Sequence, residues 1–99
     1  MEKPRIMFVD DDQEILAAYA RAFRKTYDVE VAAGPQVGLD MLAAGLDVAV
    51  VVSDLRMPGM DGVEFLGRVR ELRPDAVRII LTGFADIAVA MAAVNKSKV

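Results

Sequence analysis

The run Asp47-Val-Ala-Val-Val-Val-Ser53 constrains the fold more than any other stretch of the chain. Its apolar positions follow one another without polar alternation, so neither face of a strand built from it tolerates water. Such a strand needs cover on both sides, and parallel sheets obtain it from the helices that join their strands. The rest of the sequence supplies those parts in order. Arg5-Ile-Met-Phe-Val9 reads as a first buried strand. Residues 13–26 carry Ile15, Leu16, Tyr19, Ala22 and Phe23 at helical spacing, with Asp12 placed as the N-cap. Residues 29–33 are a second strand. Pro35 opens a second helix that runs to about Ala44 and stops at Gly45.

After the Val-rich third strand, residues 54–62 hold Met57-Pro58-Gly59 and Asp61-Gly62 and form a loop. Val63, Leu66, Val69 and Leu72 mark a third helix closed by Pro74. Residues 77–81 are a fourth strand, and residues 86–95 a fourth helix built on Ile87, Ala90, Met91 and Val94. The pattern is (βα)₄ in one domain over residues 1–99, a doubly wound parallel sheet with right-handed crossovers. Sites in such sheets lie beyond the carboxyl ends of the strands.

Composition narrows the chemistry. With 12 basic and 15 acidic residues the net charge is -3, which argues against a nucleic-acid surface. No apolar run reaches the roughly 20 residues of a membrane span. The first five residues lead straight into a strand with no signal peptide, so the expected location is cytoplasmic. The chain has no Cys and no His, which removes disulfides, thiolate or imidazole metal sites and His-based triads. Carboxylates, hydroxyls, backbone groups and a hard metal ion remain.

Those groups gather at the strand ends. Asp10, Asp11 and Asp12 follow the first strand, Asp54 the third and Thr82 the fourth. Asp12 is explained as a helix cap. Asp10 and Asp11 beside Asp54 would repel one another unless something positive binds, and an all-oxygen set suits Mg²⁺. An EF-hand is excluded because its sixth loop position, here Ile15, must be Gly. Asp54 is placed to attack phosphorus, and the hydroxyl of Thr82 to bond a phosphoryl oxygen. Ser53 and Thr82 could equally satisfy local backbone. A phosphatase of the haloacid-dehalogenase type would need a second Asp two residues on, where Arg56 stands.

Val9-Asp10-Asp11-Asp12, Val52-Ser53-Asp54-Leu55-Arg56-Met57-Pro58-Gly59-Met60-Asp61-Gly62 and Ile80-Leu81-Thr82-Gly83 together resemble the receiver domain of bacterial two-component response regulators. The resemblance implies a flavodoxin-like sheet of order 2-1-3-4-5. It implies a phosphoacceptor at Asp54 and a Mg²⁺ site made by Asp10, Asp11, Asp54 and the backbone carbonyl of Arg56. It also implies a phosphoryl contact at Thr82, and a turn shaped by Pro58 and Gly62. The partners it implies are a sensor histidine kinase or phosphotransfer protein as donor and an output domain or effector as reader. The domain would be a regulatory switch, with at most self-catalysed phosphoryl transfer and hydrolysis. The alternative is a degenerate receiver acting only as an interaction or dimerisation module.

The chain departs from the family at Asn95-Lys-Ser-Lys-Val99, where a fifth strand with its Lys and a fifth helix would follow. Lys96 and Lys98 suit a helix C-terminus instead. The expectation is therefore a C-terminally incomplete receiver of order 2-1-3-4. Its fourth strand would be left as a sheet edge open to pairing with a second copy.

Overall fold

The computed structural model describes residues 3–81. Within them the strands are β1 (Arg5–Asp10), β2 (Asp28–Ala33), β3 (Val50–Asp54) and β4 (Val77–Leu81), and the helices α1 (Gln13–Phe23), α2 (Pro35–Ala43) and α3 (Gly62–Leu72). All strand pairings are parallel, in the order β2-β1-β3-β4. This is the doubly wound sheet expected from the alternation. The fourth helix read at residues 86–95 lies outside the described residues, as does Thr82.

The boundaries differ from the sequence reading where local bonds outcompete periodicity. α1 ends at Phe23 and not Thr26, because the N–H groups of both Thr26 and Tyr27 turn back to the Phe23 carbonyl. β3 begins at Val50 and not Asp47, because its neighbour β1 begins at Arg5 and the register pairs Ile6 with Val50. Upstream of that point Ala49 N–H donates to the Arg5 carbonyl and Val48 is simply buried. At the other end both strands reach one residue further than expected. Asp10 and Asp54 are the last residues of β1 and β3, not the first residues of the loops.

Side-chain alternation divides the sheet into two cores. Met7, Val9, Ala32 and Val51 pack with Leu39 and Leu42 of α2 and Phe65, Leu66 and Val69 of α3. Ile6, Phe8 and Val52 pack with Leu16 of α1 on the opposite side. Phe8 stacks on Tyr19 and Phe23, with centroids 4.7 and 5.5 Å apart. β3 is thus covered on both faces, as its Val run demands.

Two devices hold α2 against α3. Gly38 lets the helices approach, since a Cβ there would lie 3.2 Å from the Phe65 ring. At the far end Arg73 donates to the Leu42 and Leu46 carbonyls at 2.9 and 3.1 Å, tying the end of α3 to the end of α2 and the turn after it. Phe65 is fully buried between these contacts. Phe65→Ala should therefore cost about 3–5 kcal/mol in urea unfolding, by lost transfer energy plus a cavity. A loss under about 1 kcal/mol would show that this core collapses around the gap.

Candidate functional site

The sheet order makes the chain turn opposite ways after β1 and after β3, so a crevice opens between their carboxyl ends. Asp10 and Asp54 lie at that edge, on the same side of the sheet as Phe8 and Val52, two residues before each. Asp11 follows at the start of the turn into α1. Ligand oxygens of Asp10, Asp11 and Asp54 lie within 4.8 Å of one another. Residues 44 positions apart in sequence are joined here by the β1–β3 register alone.

Local bonds orient the acids. Asp10 Oδ1 accepts the Asp12 N–H at 2.9 Å, and Asp54 Oδ1 accepts the Leu55 N–H at 2.9 Å. Asp12 turns away to cap α1, accepting from Glu14 and Ile15 N–H, as the sequence suggested. Ser53 is fully buried and donates to the Asp54 carbonyl at 2.8 Å, a local backbone role. The loop after Asp54 is closed by the Gly62 N–H on the Leu55 carbonyl at 2.8 Å and anchored by buried Met57. Arg56 is exposed in that loop, two residues beyond Asp54.

The electrostatics show strain in the acid group. Asp10 is only 6% exposed, and burial pushes its carboxyl above the usual range. The Asp12 N–H opposes the shift, while the charges of Asp54 and Asp11 add to it. Tyr19 is raised as well, by burial first and then by the charges of Asp10 and Asp54. An exclusively oxygen donor set with mutual repulsion fits a hard divalent cation, whose charge removes the repulsion.

The family model for the response regulator receiver domain matches residues 6–98. The chain belongs to that family. Among curated relatives, the photosynthetic apparatus regulatory protein RegA of Rhodovulum sulfidophilum is 38% identical over 95% of this chain and 51% of its own length. The hydrogenase transcriptional regulatory protein HoxA of Bradyrhizobium diazoefficiens is 36% identical over 93% of this chain and 19% of its own. The chain thus spans between about a fifth and a half of these regulators. Among solved structures, the CheY-like receiver domain protein of Methanospirillum hungatei JF-1 superposes with a TM-score of 0.84 at 30% identity, covering 95% of this chain and 75% of that one. A chain described as an adenylate cyclase from Rhodopirellula baltica gives a TM-score of 0.90 at 33% identity, covering 98% and 72%. Receiver domains are regulatory modules of two-component systems, and several of the relatives, HoxA among them, are named as transcriptional regulatory proteins. Among the described residues no helix is long and apolar enough to cross a membrane.

Three features of this receiver escaped sequence reasoning. Asp61 caps α3 by accepting the Glu64 N–H at 2.8 Å, a signal present in the Asp-x-x-Glu spacing. Tyr19 comes within reach of the acids' charge, which no local pattern foretells. A Cβ on Gly62 would overlap the Asp54 carbonyl oxygen.

Two outcomes follow from this geometry. Asp10 holds its proton more tightly folded than unfolded, so stability should fall as pH rises from about 3.8 through the raised value. In metal-free buffer near neutral pH, Asp10→Asn should flatten that decline and raise the melting temperature by several degrees; an unchanged pH profile would mean Asp10 is not strained. Gly62→Ala should push against the Asp54 backbone at the end of β3 and cost about 1–3 kcal/mol by overpacking, read by urea unfolding.

Proposed function

We propose that this receiver domain, covering residues 1–99, is a phosphorylation-activated switch with Asp54 as its phosphoacceptor. The observation that carries the reading is the convergence of Asp10, Asp11 and Asp54 oxygens within 4.8 Å at the carboxyl edge of β1 and β3. A carboxylate oxygen of Asp54 attacks phosphorus and forms a new P–O bond. The P–N bond of a phosphohistidine on a partner kinase or phosphotransfer protein breaks, its electron pair staying with the imidazole. The donor group lies outside these 99 residues, which contain no His.

Asp10, Asp11, Asp54 and the Arg56 carbonyl would hold Mg²⁺. Bound there, the ion neutralises charge on the transferring group and on the acids. The Leu55 N–H, already on Asp54 Oδ1, fixes the rotation of the attacking carboxylate. Thr82 follows Leu81, whose register partner is Asp54, and its hydroxyl would bond the added phosphoryl oxygens. The phosphorylated surface would be read by an output domain or effector, and the setting would be the cytoplasm. Chemistry on the chain itself would be limited to transfer and slow hydrolysis of the acyl phosphate.

The test is labelling with acetyl phosphate. Wild type should add one phosphoryl group in the presence of Mg²⁺ and none in excess EDTA, and Asp54→Asn should add none. Failure of wild type to label in Mg²⁺ would favour a receiver that serves only as an interaction module. In parallel, Mg²⁺ at about a hundred times its dissociation constant should stabilise the fold by about 2.7 kcal/mol. Asp11→Asn should lose most of that response, whereas Thr82→Ala should keep it while failing to couple phosphorylation to partner binding. Equal loss of Mg²⁺ response in both variants would contradict this division of roles.

A further inference from the structure

β2 bounds the sheet on the side away from β4, with β1 and β3 between them. In the order 2-1-3-4-5 of doubly wound sheets of this kind it is an edge as well, so its exposure does not come from where the chain stops. The Asp28 N–H on the Pro4 carbonyl fixes which backbone groups of β2 face inward. In a parallel ladder alternate residues turn both their backbone groups to the same neighbour. Asp28, Glu30 and Ala32 therefore bond toward β1, while Val29, Val31 and Ala33 present N–H and C=O outward. Among the described residues no hydrogen bond meets those outward groups.

Several of the usual protections of an edge are missing here. β2 holds no Pro and no Lys, and its ladder to β1 runs without a bulge through all six residues. Its side chains divide by face. Val29 joins the Phe8 core on the α1 side, which puts Val31 and Ala33 on that side too. Val31 is 42% exposed, and Ala33 is exposed. Ala32 joins the core under α2 and α3, and shares that face with Asp28 and Glu30. One flank of the edge is thus apolar throughout. The other carries two carboxylates, of which Asp28 is held by Arg5 at 3.0 Å.

From this pattern we infer that the outer edge of β2 pairs antiparallel with the same edge of a second copy, about a two-fold axis at Val31. Only outward residues can exchange bonds, so Val29, Val31 and Ala33 must face one another in any register. A centre nearer the strand start sets Glu30 against Glu30 or Asp28 against Glu30, which is repulsive. A centre nearer the strand end sets Val29 or Val31 against Pro35, which has no N–H to give. A centre at Val31 sets Val29 against Ala33 and Val31 against its own copy. Glu30 then meets Ala32 and Asp28 meets Gly34. Every outward group is paired, no like charges stand directly opposite, and the apolar flank runs on across the joint. The edge is complementary to itself in that register, which is the requirement of an isologous dimer.

The chain has no Cys, so cross-linking of introduced ones reads the register directly. At the axis the two Val31 Cα atoms would stand about 5.5 Å apart, within the roughly 4.4–6.8 Å that a disulfide spans. Oxidised by copper–phenanthroline, Val31→Cys should cross-link by itself, whereas Val29→Cys and Ala33→Cys should do so only when mixed. Val37→Cys, at a position 45% exposed on α2, is the control for random collision. In sedimentation equilibrium at about 100 µM the wild-type chain should be dimeric, and Val31→Lys should raise the Kd about tenfold or more as two cations meet at the axis. Mixing Val31→Lys with Val31→Glu should restore the dimer. Circular dichroism checks the fold of each variant, and if Val31→Lys unfolds, the cysteine pairs decide. A monomeric wild type would overturn the assignment, as would Val31→Cys cross-linking no faster than Val37→Cys. Cross-linking of Val29→Cys by itself, or a dimer indifferent to a folded Val31→Lys, would overturn it equally.

Discussion

The parallel pairing of β1 with β3 is the contact on which the rest of this receiver depends. Its register, from Ile6 opposite Val50 to Val9 opposite Ser53, places two strand ends side by side. Those ends are Asp10 and Asp54. A slip of one residue would send either Phe8 or Val52 to the wrong face and turn one carboxylate away from the other. Packing therefore protects the site: the apolar side chains that refuse the wrong face also hold the acids in place.

The same pairing creates an electrostatic cost. Asp10 is buried and faces Asp54 and Asp11, and its carboxyl is raised as a result. The fold tolerates this because the neighbouring backbone helps, with the Asp12 N–H on Asp10 and the Leu55 N–H on Asp54. These bonds orient the acids without removing their mutual repulsion. An acid group assembled under repulsion responds strongly to any added charge, positive or negative.

The cover of the sheet is the second organising asymmetry. Gly38 and Arg73 draw α2 and α3 into one layer over a core centred on Phe65. On the other side the aromatic stack of Phe8, Tyr19 and Phe23 concentrates α1 over β1. Among the described residues, α1 packs over β1 and β2 and not over β4.

Much of this was legible in the chain itself. Short apolar runs alternating with 3.6-residue periodicity determine a parallel α/β sheet, because only helical crossovers cover a strand as apolar as residues 47–53 on both faces. The Asp12 cap, the Pro35 helix start and the span of β4 are local chemistry and could be read directly. The motif around Asp54 carried the family resemblance, and hence the sheet order. Periodicity could not say that the third strand begins at Val50, since that depends on where β1 begins. Nor could it say that Asp10 and Asp54 end their strands on one face, that Tyr19 lies within reach of their charge, or that Gly62 must lack a side chain against the Asp54 carbonyl. Each of these rests on a contact between residues far apart in sequence. Register and close approach exist only once the strands have paired, and so the tertiary structure alone decided them.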